Sequence, residues 1–210
     1  MAEDIGLFEA IFSQRAIRKL KPDPVSDELV RRLIEAATKA PSGGNRQPWA
    51  FIVVRDEAAK KKIGVWYLEA WNAIYGRKDP DAGPLPASLE RVYGAAEHLA
   101  HHLSEVPVMI IVCLRGAPAA DSPRAAGAYG SIYPAVQNLL LAARGLGLGA
   151  SLTTLHKMHE QDLKELLGIP ESVESIALVP VGHPIGRYGP TTRRPVDEVI
   201  HLERWDDTKS

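Results

Sequence analysis

Apolar residues along this chain follow two different spacings. GASLTTL reads as a short strand, and three stretches are almost uninterrupted: AFIVVRD, VPVMIIVCLRG and SIALVPVGHP. Runs of this kind, bounded by turn residues, predict strands buried on both faces. AIRKLKPDPV is also extended, because Pro22 and Pro24 disfavour helix just before them. Between these runs the spacing changes to three and four. LFEAIFSQR sets Leu7, Phe8, Ile11 and Phe12 on one face of a short helix. Ser26 caps a second helix, with Asp27 and Glu28 in the first turn, where the helix dipole favours them. Leu29, Val30, Leu33, Ile34 and Ala37 form its apolar stripe, and Pro41 ends it.

A Lys-rich helix is expected near 57–63, and helices flanking a PDAGPLP loop over 64–105. AAGAYGSIYPAVQNLLLAARGLGLG reads as one long helix stopped by Gly147 and Gly149, with Pro134 in its first half. EQDLKELLG is a helix whose stop signal is Gly168. The tail GPTTRRPVDEVIHLERW has little periodicity. Strands alternating with helices argue for an α/β or α+β sheet covered by helices. No repeat or low-complexity linker divides the chain, so residues 1–210 read as a single domain.

Composition changes this picture little. The 210 residues are 45% apolar and 24% charged, with a net charge of −1, so nothing global points to nucleic acid. The longest apolar run, VMIIVCL, is far shorter than the roughly 18 residues of a membrane span. MAEDIGLFEAIF lacks a basic region and a long apolar run, so no signal peptide is expected, and the default location is cytoplasmic. The single cysteine, Cys113, falls inside a strand run and reads as packing.

Familiar catalytic motifs are absent. No GxGxxG follows a strand, no GxxxxGK[ST] occurs, and GLGLG stands between helix and strand in the reverse order. His98 and His102 share a helix face but lack supporting carboxylates or cysteines, so a solvated face outweighs a metal site and no metal is expected. There is no GxSxG elbow, and no histidine has the partners of a nucleophilic triad. Arg15 and Arg18 near one end of the chain, and Arg193 and Arg194 near the other, have the planar forks that suit phosphate; surface ion pairing is the alternative. Trp66, Tyr67, Trp71, Tyr75 and Tyr93 crowd the middle segment, as a stacking surface or as ordinary core. The loop PSGGNRQPW, residues 41–49, combines two glycines with Asn45, Arg46 and Gln47, suiting close approach of main chain and amides to a flat polar ligand.

Taken in order, these pieces resemble the nitroreductase family of flavoenzymes. SQRAIRKL is similar to that family's R-R-S-x-R segment, and APSGGNRQPWAFIVV to its A-P-S-x-x-N-x-Q-P-W-x-F segment. SIYPAVQNLLLAARGLGLGASL resembles its central helix and following strand, LVPVGHP its strand ending in G-x-P, and RRPVDEVI its R-R-P-x-x-E-x-V ending. The resemblance runs from about residue 8 to 200.

It implies an α+β fold with a central mixed sheet flanked by helices, and an intertwined homodimer holding one FMN per site at the subunit interface. It implies NAD(P)H as reductant, with hydride passing through flavin N5 to an electron-poor acceptor such as a nitroaromatic or quinone. Arg15, Ala16 and Arg18 would face the phosphate and ribityl chain. Pro41, Ser42, Asn45 and Gln47 would contact the isoalloxazine and ribityl groups from the other subunit. Leu152 and Thr153 would lie by the flavin, and Arg193, with Arg194 beside it, would meet the phosphate. The segment at about 64–105 would be a variable lid, with Trp66, Tyr67, Trp71 and Tyr75 able to stack on a flat substrate.

Three departures stand out. Ala16 replaces the usual serine, Gln14 replaces the first arginine, and Thr191 stands where some members place lysine. We read them as changes of affinity or subgroup. The alternatives are a family specialist, which fragments flavin or oxidises or dehalogenates one metabolite, and a flavin-binding module without turnover.

Overall fold

The computed structural model describes residues 5–76, 86–119 and 121–205. Among the described residues, six α-helices surround one five-stranded sheet. The helices are α1 (Leu7–Ser13), α2 (Asp27–Ala37), α3 (Glu57–Tyr75), α4 (Ala87–His102), α5 (Ala125–Gly145) and α6 (Glu160–Leu167). The strands are β1 (Leu20–Lys21), β2 (Trp49–Val54), β3 (Val108–Arg115), β4 (Gly149–Ala150) and β5 (Val173–Pro184). The α+β class expected from the sequence holds. The sheet order is β1-β5-β3-β2, with β4 pairing β5, and each described pairing is antiparallel.

β3 explains the layering. Its residues alternate between faces, and seven of its eight are buried. Val108, Ile110, Val112 and Leu114 pack with Val30, Leu33 and Ala37 of α2 and with Ile132, Val136 and Leu139 of α5. Met109, Ile111 and Cys113 pack on the other face with Ile63, Tyr67 and Trp71 of α3, Leu99 of α4 and Leu163 of α6. Cys113 is thus core, and burial pushes its thiol up to about 11.

The local signals act as expected at α2 and α6. Ser26 Oγ accepts the Leu29 N–H at 3.2 Å, and Gly168 closes α6 in the left-handed region at φ 65°. Two expectations change. The helix placed near 57–63 runs on to Tyr75, so the Lys-rich and aromatic stretches are one helix of 19 residues. Gly64 lies within it where α3 packs closely on the turn after α4; a Cβ there would come within 3.1 Å of Ser104. GASLTTL is regular strand only at Gly149 and Ala150; Thr153 then pairs alone with Leu178. The PDAGPLP loop lies almost wholly outside the described residues.

α1 has the expected apolar face, yet that face is not buried within the chain. Leu7, Phe8 and Phe12 are each more than 60% exposed, and only Ala10 is buried. The tail is similar: Val196, Val199, Ile200, Leu202 and Trp205 are exposed.

Candidate functional site

A cavity of about 330 Å³ opens where β4 ends and α3 and α4 pass over it. Arg18, Leu152 and Thr153 line its floor, and Tyr67, Trp71, Tyr75 and Tyr93 form its wall. Chain segments more than 130 positions apart meet here because β5 joins both. β1 pairs with Pro184 and His183 at one end of β5, and β4 pairs beside it at Gly182 and Val181. The close approach needs glycine: a Cβ on Gly149 would sit 2.6 Å from Leu20 and 2.7 Å from Ile17.

The wall follows helix geometry. Tyr67, Trp71 and Tyr75 are spaced by four and present one face of α3 to the cavity. Trp66 is one residue away and falls on another face. It does not line the cavity; its ring stacks on His159 with centroids 6.1 Å apart. Tyr67 and Trp71 are also buried against the sheet, so they are fixed members of the core as well as wall residues. Tyr75, at 44% exposure, tilts against Trp71 at 4.7 Å and meets Tyr93 edge-on at 6.2 Å. Val92 and Ala96 of α4, and Thr154 and Leu155 after Thr153, complete the lining. Sequence reading missed these four, although the spacing of 92, 93 and 96 on a helix was a usable signal.

The floor is polar and positive. Tyr67 Oη lies 2.8 Å from Thr153 Oγ1. Burial pushes the Tyr67 phenol above its ordinary range, against the opposing pull of the Thr153 bond and the Arg18 charge. Burial likewise draws the Arg18 guanidinium below its ordinary range. Arg18 forms no ion pair among the described residues. Ser151 Oγ, two residues before Thr153, is buried without a hydrogen-bond partner. An aromatic slot with a cation and a hydroxyl pair at its floor suits a planar group with electronegative edges.

Arg15, Ala16, Arg193 and Arg194 lie outside this cavity and are exposed. The tail nevertheless returns to α1. Phe12 O accepts both the N–H and the hydroxyl of Thr191, at 3.0 and 3.1 Å. Arg144 reinforces the crossing: it donates to Ser13 Oγ at 2.8 Å and lies over the Tyr188 ring at 4.5 Å. Thr191, noted as a departure in the sequence, therefore ties Arg193 to the end of the helix that precedes Arg15. One guanidinium nitrogen of Arg193 is occupied by the Thr192 carbonyl.

The loop of residues 41–49 lies elsewhere. Gly44 takes φ 60°, a region that favours glycine, and Asn45 and Gln47 are held in the same left-handed region at φ 52° and 50°. The strain is held locally: Ser42 Oγ accepts the Gln47 N–H at 3.1 Å, and Gln47 Nε2 donates to Asn45 Oδ1 at 3.1 Å. Gly43 N–H donates to Ser131 Oγ of α5, and Trp49 anchors the far side in the core. This loop enters β2 at Trp49, opposite Leu114, whereas Thr153 pairs with Leu178, opposite Ile111, on the far edge of β5. Three strand spacings separate them laterally, about 14 Å, with roughly 10 Å more along the strands. Pro41, Ser42, Asn45 and Gln47 line no part of the Arg18 cavity.

The remaining histidines do not form a second centre. His98 and His102 stack on each other at 4.3 Å, and no group of three metal-ligating side chains occurs among the described residues. No helix among them is long and apolar enough to cross a membrane.

The cavity thus gathers aromatic rings, the Tyr67 and Thr153 hydroxyls and one guanidinium without an ion-pair partner among the described residues. A family profile described as the Nitroreductase family matches residues 11–183. The chain belongs to the nitroreductase family. A relative from Methanothermobacter thermautotrophicus, provisionally named an NADH dehydrogenase/NAD(P)H nitroreductase, is 33% identical over 205 residues, covering 96% of this chain and 88% of that one. The FMN reductase [NAD(P)H] of Bacillus subtilis is 29% identical over 95% of this chain and 74% of its own. A solved nitroreductase with bound FMN from Desulfitobacterium hafniense superposes with a TM-score of 0.70 at 24% identity, covering 93% of this chain and 97% of that one, and shares the fold.

Proposed function

We propose that the protein is an FMN-dependent oxidoreductase, with NAD(P)H as reductant and an electron-poor aromatic or quinone as acceptor. The observation that carries this reading is the meeting of Arg18, Leu152 and Thr153 with the ring wall of Tyr67, Trp71 and Tyr75 in one cavity. FMN, when bound, supplies the redox chemistry, accepting a hydride equivalent from the nicotinamide and passing electrons to the acceptor.

The chain's own residues hold, orient and shield. Arg18 places positive charge at the cavity floor, favouring a ligand that becomes more negative on reduction. Arg15 and Arg193, drawn to the same end of α1 by Thr191, supply charge for a phosphate. Arg194 serves the same end, with the Ala16 main chain beside Arg15. Tyr67 and Trp71 are held rigidly by the core, while Tyr75 and Tyr93 form the outer wall that meets substrate. The acceptor-selecting segment is accordingly the α3–α4 region, about residues 64–105, within a single domain.

The reading requires a homodimer. Pro41, Ser42, Asn45 and Gln47 cannot reach the Arg18 cavity of their own chain, so they complete the cavity of a second copy. The exposed apolar faces of α1 and the tail supply the surface for that pairing. A strained loop stocked with amide donors is consistent with a role at the ligand.

Purification tests the reading. The protein is expected to be yellow, or to become so on adding FMN, and to oxidise NADH or NADPH in the presence of a quinone or nitroaromatic. A colourless preparation that gains no flavin spectrum refutes it. Reoxidation of the reduced protein by only one metabolite would establish the specialist reading instead, and flavin binding without turnover would establish the non-catalytic one.

A further inference from the structure

A second cavity, of about 510 Å³, lies at the opposite end of the sheet, where β2 and β3 meet the start of α5. Its charged lining consists of Arg46, Arg115 and Arg124 alone, with Gly43, Gly127 and Ser131 among its walls. No carboxylate lines it among the described residues, and none of the three arginines forms an ion pair there. Three guanidinium groups around one hollow repel one another, and an anion relieves that repulsion while accepting their planar forks.

The backbone adds to the field. α5 has 21 residues, and its first turn faces this hollow through Gly127 and Ala128. No acidic residue sits in its first turn, so the positive pole of the helix adds to the field of the arginines. The glycines leave room: nothing lies within 4 Å of a Cβ built on Gly43 or Gly127. The position matters as much as the charge. Gly43 and Arg46 belong to the strained loop that carries Asn45 and Gln47. The hollow and the amide-bearing loop are therefore continuous through Gly43 and Arg46.

We propose that Arg46, Arg115 and Arg124 bind the phosphate groups of the dinucleotide reductant. This inference rests on the reading of the protein as an NAD(P)H oxidoreductase. The nicotinamide would sit on the cofactor and the phosphates in the arginine hollow, so the reductant is gripped by a part of the chain distinct from Arg18.

The test uses the FMN-loaded protein and the variants Arg115→Gln and Arg124→Gln, both at exposed positions. KM for NADH or NADPH is expected to rise about tenfold in the double variant, with kcat little changed. KM for 1-benzyl-1,4-dihydronicotinamide, which carries no phosphate, is expected to stay the same. Inorganic pyrophosphate should compete with the dinucleotide in the parent protein and cease to do so in the double variant. An unchanged KM for the dinucleotides overturns the proposal, as does an equal rise for the phosphate-free analogue. A weakened FMN affinity with unchanged KM also overturns it, by assigning the hollow to the flavin phosphate. Competition by pyrophosphate without any change in KM overturns it in favour of free phosphate. If the parent protein oxidises no dinucleotide at all, it is the oxidoreductase reading that fails.

Discussion

The hydroxyls of Tyr67 and Thr153 lie 2.8 Å apart, joining the wall of the Arg18 cavity to its floor. Tyr67 is 4% exposed and sits in the core beneath α3, so this bond ties the position of Thr153 to the packing of a whole helix. The pair should be energetically coupled. Tyr67→Phe and Thr153→Val are each expected to lower unfolding free energy, and a double-mutant cycle in urea should return a coupling of about 1 kcal/mol. In the FMN-loaded protein the same single changes should shift the flavin absorption or reduction potential, because the floor is loosened. A coupling near zero would show that the contact does not constrain either residue.

Arg18 provides the second prediction. Its guanidinium is half-buried with no carboxylate paired to it among the described residues. Arg18→Gln should weaken FMN binding about tenfold in a fluorescence titration, by removing a charged donor from a partly desolvated site. Folding should be little affected, since no ion pair is broken. Unaltered flavin affinity would remove Arg18 from the cofactor site.

Assembly gives the third. Sedimentation should find a dimer, and Phe8→Glu combined with Phe12→Glu should yield a monomer with the same far-ultraviolet circular dichroism. Both rings are more than 60% exposed in the single chain, so the substitutions disturb no core. The monomer should lose FMN, because Asn45 and Gln47 of the second copy are then missing. A monomer that keeps full flavin affinity would show that one chain completes the site.

The fourth concerns acid. His156 is buried, and burial draws its imidazole down to about 4 from an ordinary 6.5; Nε2 meets the Ser175 carbonyl at 3.3 Å, while Nδ1 has no partner. Lys157 and Glu160 face it from the neighbouring turn and α6 with opposing effects on its charge. Between these two values the unfolded chain binds a proton that the folded chain refuses, so stability is retained above pH 6.5 and falls as pH drops toward 4. At pH 4.5 the loss from this one group is about 2–3 kcal/mol relative to pH 7. His156→Gln should therefore show a shallower decline in urea midpoint between these pH values than the parent protein. Equal declines would place the acid sensitivity in other groups.

Much of the fold was legible along the chain because it depends on nearest neighbours. Ser26 caps α2 through a bond three residues away, and Gly168 ends α6 by its own backbone conformation. The uninterrupted apolar run over β3 could only be a strand buried on both faces. For the site, the order of five motifs pointed to the family and to Arg18, Leu152 and Thr153, which the structure brings into one cavity. Spacing by four marks Tyr67, Trp71 and Tyr75 as one helix face, but only packing decides that this face, and not the one carrying Trp66, meets the cavity. Trp66 and Tyr67 are adjacent in sequence, and the packing of α3 on the sheet sends one toward His159 and the other toward Thr153.

The chain's own order of residues determined its main strands, the caps of α2 and α6 and its family, but not where α3 would end or how short β4 would be. Tertiary structure decided that Thr191 would bring the tail arginines to α1, that three arginines would surround one hollow at the start of α5, and that the 41–49 loop would lie across the sheet from the Arg18 cavity. The reason is physical. Helix and strand preferences act over a few residues, whereas these relationships arise from strand order and register, which pair segments far apart in the chain.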